Sequence, residues 1–166
     1  MELEKPIVAP FKILGIVAHP DDTQCGSAGS VGRVDFGRRG GDHCIVTDGA
    51  VAGSNDKDVV YNQLVERRQA EQLEAAEIVG VKEVVFLSYP DGALTPSMEL
   101  RRDLTRLIRR LRPDRVLIMD PTQGDAPGEG FDYINHPDHR ATGEASLYAI
   151  FLGETRPIFP NCSTRA

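Results

Sequence analysis

A chain of 166 residues, 40% hydrophobic and 27% charged, has the size and balance of a single globular domain spanning residues 1–166 around one buried core. A net charge of −6 argues against a nucleic-acid scaffold or a binder of acidic membranes, and no apolar run approaches the roughly 18 residues of a membrane helix. Cys25, Cys44 and Cys162 form no CxxC pair, which argues against a disulfide framework or a thiolate zinc cage. They fit a reducing cytoplasm, and the acidic start of the chain is unlike a signal peptide.

Residues 1–11 read as a lead-in. Lys12–Ala18 is apolar and β-branched, as expected of a strand buried on both faces. Thr23–Arg39 reads as a helix loosened by Gly26, Gly29, Gly32 and Gly37. Cys44–Thr47 is the second strand, preceded by a His43 expected to face solvent, and Asp48–Asn55 is a loop. Gln63–Val79 is rich in helix formers, with Gly80 placed for a C-cap. Glu83–Leu87 is the third strand, and Tyr89–Gly92 is a turn in which Pro90 sets φ and Asp91-Gly92 accept the bend. In the helix Pro96–Leu111, Leu100, Leu104, Leu107, Ile108 and Leu111 form one stripe, and Arg101, Arg102, Arg106, Arg109 and Arg110 a solvated arc opposite. Arg115–Met119 is the fourth strand, Asp120–Asn135 a long Gly/Pro/Asp-rich loop of the kind used as a binding loop, and His136–Phe151 the last helix. The alternation predicts a Rossmann-like α/β three-layer sandwich. Its sheet is mostly parallel, and its ligand lies outside the carboxyl ends of the strands.

Two motifs stand at such ends. Ala18-His19-Pro20-Asp21-Asp22 closes the first strand and packs three ionisable groups into four residues, a repulsive arrangement that a cation relieves. Asn135-His136-Pro137-Asp138-His139-Arg140 opens the last helix with two more imidazoles and a carboxylate. Imidazole and carboxylate without thiolate suit zinc. Three protein ligands with an open fourth position make a catalytic site, where water is acidified to a pKa of about 7.

The pair AHPDD … HPDHR resembles the LmbE-like (PIG-L) N-deacetylases. The resemblance covers roughly residues 12–152 and takes in Thr47-Asp48-Gly49, Arg68, Glu71 and Tyr89-Pro90-Asp91-Gly92. It implies zinc held by His19, Asp22 and His139, with Asp21 as general base. His136, an imidazolium, would donate to the oxyanion and be kept charged by Asp138; Arg68 and Asp91 would touch substrate hydroxyls. The implied substrates are N-acylated amino sugars, usually N-acetylglucosamine derivatives, the implied assembly is a homo-oligomer (trimer or hexamer), and a bell-shaped pH–rate profile follows. Two departures stand out. Thr23 and Gln24 occupy positions where the family has a supporting Glu, and the chain ends soon after the last helix, where family members continue. The competing readings are a metal-binding but catalytically silent protein and a phosphate- or nucleotide-binding domain using the Gly-rich first helix. The glycine spacing does not match a dinucleotide fingerprint.

Overall fold

The computed structural model describes residues 12–23, 41–50, 61–122 and 135–154. Most of the expected first helix with its glycines, Gln24 and Cys25, the middle of the long loop, and Cys162 lie outside the described residues. Four strands, β1 (Ile13–Val17), β2 (Gly41–Thr47), β3 (Glu83–Tyr89) and β4 (Arg115–Ile118), form one sheet in the order β3-β2-β1-β4. Every pairing is parallel. The chain order therefore reverses between β1 and β4, and in a parallel α/β sheet that switch point opens a crevice at the carboxyl ends.

Three helices are described: α1 (Tyr61–Val79), α2 (Met98–Leu111) and α3 (Pro137–Glu154). Helix α1 ends as expected. Gly80 adopts φ 80°, its N–H bonds Glu77 O, and Val81 N–H bonds Ala76 O, the paired bonds of a Schellman cap. Helix α2 starts on Ser97, whose Oγ accepts Leu100 N–H, and ends on Arg112, which takes the left-handed conformation while its N–H bonds Ile108 O. The leucine stripe works as the periodicity predicts: Leu100, Leu104 and Leu107 are buried against Leu14, Ile16, Cys44 and Val46 of the sheet and against Ala141, Ala145 and Ala149 of α3. The opposite arc is tied to acids: Arg101 to Glu144, Arg106 to Asp103 and Arg110 to Glu83. None of the described helices is long and apolar enough to cross a membrane.

β2 corrects the expectation for His43. The strand begins at Gly41, so His43 lies inside it, paired in register with Gly15 and only 1% exposed. A Cβ on Gly15 would stand 3.3 Å from His43 Cδ2, so the missing side chain makes room for the ring. Burial pushes the His43 pKa down, against the pull of the Asp42 charge. β3 runs to Tyr89 and carries an extra residue: Ile45 pairs with Phe86 but Thr47 with Tyr89, and Ser88 sits at φ 56° within this bulge. The bulge re-aims the chain just before the Asp91 turn.

Candidate metal centre

Where β1 ends, the chain folds back at once. His19 N–H donates to Asp22 Oδ2 at 2.7 Å and Asp22 N–H to His19 O at 3.3 Å, so the HxxD stretch brings a carboxylate beneath its own imidazole. The second motif arrives on α3, whose first turn lies beside the carboxyl end of β4. Asn135 Nδ2 donates to Asp120 O, and Gly143 lets the helix approach Met119 and Pro121 closely. Adjacent strands at the switch point thus bring the two motifs together.

Three side chains converge, Asp22 through both of its oxygens. His19 Nδ1 lies 3.1 Å from His139 Nε2 and 3.4 Å from Asp22 Oδ2, and His139 Nε2 lies 3.2 Å from Asp22 Oδ1. An ion bonded to three ligands at ~2.0–2.1 Å in tetrahedral geometry sets ligand atoms about 3.3 Å apart. The triangle fits. Two facing imidazole nitrogens beside a carboxylate also cannot all be satisfied by one proton, which is the donor chemistry a cation answers. Burial opposes ionisation of Asp22, yet bonds from His139 and His19 hold its carboxyl well below the usual range. Burial likewise works against the His19 imidazolium, but the bond and charge of Asp22, with the charges of Asp91 and Asp138, raise its pKa.

The other nitrogen of His19 is taken. Nε2 lies 3.2 Å from Asp91 Oδ1 and 3.4 Å from Asp138 Oδ2, so it donates to carboxylates and leaves the Nδ1 lone pair for a metal. This arrangement places two of the expected site residues against His19. Asp91, read as a substrate contact, is behind His19 with its side chain 2% exposed. Asp138, read as the partner of His136, is fully buried and accepts Gly92 N–H at 2.7 Å and Leu94 N–H at 3.2 Å. The His136 ring instead accepts the Asp138 backbone N–H on Nδ1 at 3.2 Å, which leaves Nε2 as the nitrogen able to donate outward. The reason is geometric: residue 138 sits in the first turn of α3, and its carboxylate points back at the turn after β3, not at residue 136.

Among the described residues, potential ligand groups also include His19-His136-His139 and His19-Asp91-Asp138. Asp91 and Asp138 both face His19 Nε2, and Asp138 also accepts two backbone N–H groups. His136 is exposed, its ring 4.8 Å from that of His19 and 5.2 Å from that of His139 between centroids. Asp21 is exposed too, and with Pro20, Arg68, Glu71 and Gln72 it lines a cavity of about 160 Å³. Asp21 and Arg68 therefore share one small cleft. Thr23, the residue after the motif, is buried and accepts a hydrogen bond from Gln72 of α1.

A larger cavity, about 380 Å³, lies at the opposite end of the sheet among Arg109, Arg112, Asp114 and Arg115. Helices α2 and α3 end there. Arg109 donates to Leu152 O and Lys12 to Leu111 O, so these cations answer the exposed carbonyls of two helix termini. It holds none of the convergent chemistry of the first site.

The sequence model of the family described as PIG-L: GlcNAc-PI de-N-acetylase matches residues 14–150. The chain is 34% identical over 153 residues to the diacetylchitobiose deacetylase of Thermococcus kodakarensis, an alignment covering 90% of this chain and 54% of that one. It is 29% identical over 143 residues to a probable N-acetyl-alpha-D-glucosaminyl L-malate deacetylase 2 of Bacillus anthracis, covering 83% and 58%. The solved N,N'-diacetylchitobiose deacetylase of Pyrococcus horikoshii superposes with a TM-score of 0.77 at 32% identity, covering 91% of this chain and 53% of that one. The chain spans a little over half the length of these relatives.

Proposed function

We propose, from the premise that the chain belongs to the PIG-L de-N-acetylase family, that it hydrolyses the acetamide of an N-acetylglucosamine-type sugar or conjugate. The observation that carries this reading is the triangle of His19 Nδ1, Asp22 and His139 Nε2, with edges of 3.1–3.4 Å, beside an exposed carboxylate, Asp21. Those three residues would hold a zinc ion, which would supply water acidified enough to act near neutral pH and a Lewis acid for the substrate carbonyl.

The chain's own groups do the rest. Asp21 takes a proton as water oxygen adds to the acyl carbon, then returns it to the leaving amine as the C–N bond breaks. The His136 Nε2–H donates to the oxyanion that develops meanwhile. Arg68 shares its cleft with Asp21, and no carboxylate among the described residues pairs with it, so its fork is available to sugar hydroxyls. Asp91 and Asp138 keep the His19 ring oriented.

The test is zinc content together with amine release from N,N'-diacetylchitobiose and N-acetylglucosamine, with and without chelator. Bound zinc and chelator-sensitive release are expected. Asp21→Asn should retain zinc and lose at least 100-fold in kcat, the scale of general-base removal. Full turnover in Asp21→Asn would sink the assignment of the base. Stoichiometric zinc with no amine released from any N-acetyl sugar would favour a catalytically silent metal protein instead.

A further inference from the structure

The segment Thr47-Asp48-Gly49, which joins the family resemblance but has no role in the chemistry above, is bonded to the chain just before His19, to the turn after β3 and to the start of α1. Thr47 gives both its N–H and its hydroxyl to Ala18 O, at 2.8 and 2.9 Å, at the residue just before His19. Asp48 N–H donates to Tyr89 O at 2.9 Å. Its Oδ1 accepts Ala50 N–H at 3.1 Å and Asp91 N–H at 3.3 Å, and its Oδ2 accepts the Tyr61 hydroxyl. Asp91 in turn faces His19 Nε2. Gly49 completes the contact. At φ 67° it is in the left-handed region, and a Cβ there would stand 2.8 Å from Pro20 Cδ and 3.3 Å from Arg68 Cδ. The loop after β2 is therefore bonded to the ends of β1 and β3 and packed on the residue between His19 and Asp21.

Asp48 is 8% exposed, and among the described residues it pairs with no cation; its carboxylate is answered only by N–H and O–H donors. A buried charge held this way is costly to move, because each lost donor leaves desolvated charge behind. Tyr61, at the first position of α1, is half exposed, so its ring gains little by burial while its hydroxyl is tied to that carboxylate. Arg68 lies two turns along the same helix.

We infer that Asp48 and Tyr61 are positioning residues: a clamp that holds the Asp91 turn against His19 and latches it to the helix carrying Arg68. The inference rests on the metal-centre reading. Displacing the clamp should let the His19 ring turn, loosening the metal, and should shift the Arg68 side of the cleft at the same time.

The experiment measures zinc affinity by chelator competition, the visible spectrum of the cobalt-substituted protein, and kcat and KM on N,N'-diacetylchitobiose, for Tyr61→Phe and Asp48→Asn. Asn at 48 keeps an acceptor for the two N–H groups but turns a donor toward Tyr61. Loss of a group that orients a metal-binding His costs roughly 10–100-fold in affinity; a group one bond further out should give about tenfold for Asp48→Asn and about threefold for Tyr61→Phe. The cobalt spectrum should shift in both, with KM raised as well as kcat lowered. A merely structural role would lower the urea midpoint and leave zinc affinity and spectrum at parental values, and that result overturns the inference. If the parent protein binds neither zinc nor cobalt, the metal-centre reading itself fails first.

Discussion

Replacing Gly143 by Ala sets two effects of opposite sign against each other. In the interior of α3, Ala is favoured over Gly by about 1 kcal/mol of helix propensity. Yet a Cβ at this position would lie 2.4 Å from Met119 O and 3.1 Å from both Pro121 N and Pro121 Cδ. The first distance is about 1 Å short of ordinary contact, and the obstacle is backbone, so α3 must retreat as a body. Overpacking of this kind costs about 1–3 kcal/mol, so the steric term wins and the variant should be less stable by up to about 2 kcal/mol net. His139 lies one turn before Gly143 on the same face of α3, so the retreat carries its Nε2 away from His19 and Asp22 by an amount of the same order. A misplacement of about 1 Å costs on the order of 100-fold in rate. Urea unfolding gives the stability change, chelator competition the zinc affinity, and amine release the rate. An Ala variant as stable as the parent, with parental zinc affinity, would refute both the close-approach argument and the seating of His139 by α3.

Two further outcomes follow from the site. Asp138→Asn should weaken zinc roughly 10–100-fold and destabilise the fold by about 1–3 kcal/mol, because an amide cannot accept from Gly92 and Leu94 and receive the His19 N–H at once. Unchanged affinity by chelator competition would show that Asp138 does not orient His19. The raised His19 pKa means the proton competes with the metal at higher pH than an ordinary imidazole would allow; Asp22, with its lowered pKa, stays ionised and adds nothing to the competition. Apparent zinc affinity measured between about pH 5 and 8 should thus begin to fall near neutrality as pH drops. Affinity that is flat down to about pH 5 would refute this.

Much of this was legible in the residues. The 3.6-residue stripe of α2, the Gly80 cap of α1 and the alternation of short apolar strands with helices define a parallel α/β sheet by local physics alone. The two His/Asp motifs at strand ends were visible for the same reason: each is contiguous in the chain, and repulsion among its own charges calls for a cation. What the residues did not disclose depends on which strand lies beside which and on where a buried side chain points. His43 is buried because Gly15 stands opposite it in register, a pairing between residues 28 positions apart. Asp91 and Asp138 lie against His19 Nε2 because the bulge at Ser88 and the first turn of α3 bring them to that side of the ring. The clamp of Asp48 and Tyr61 had no signal beyond a turn-like Thr-Asp-Gly, since Asx chemistry in a loop looks alike whether the carboxylate faces water or a neighbouring strand. Local periodicity and charge along the chain are enough to place the described strands and helices and to mark the residue types able to hold a metal. Which of those carboxylates lies between His19 and His139, and which lie behind the His19 ring, depends on the tertiary structure, because hydrogen-bond direction and burial are set by contacts between segments far apart in the chain.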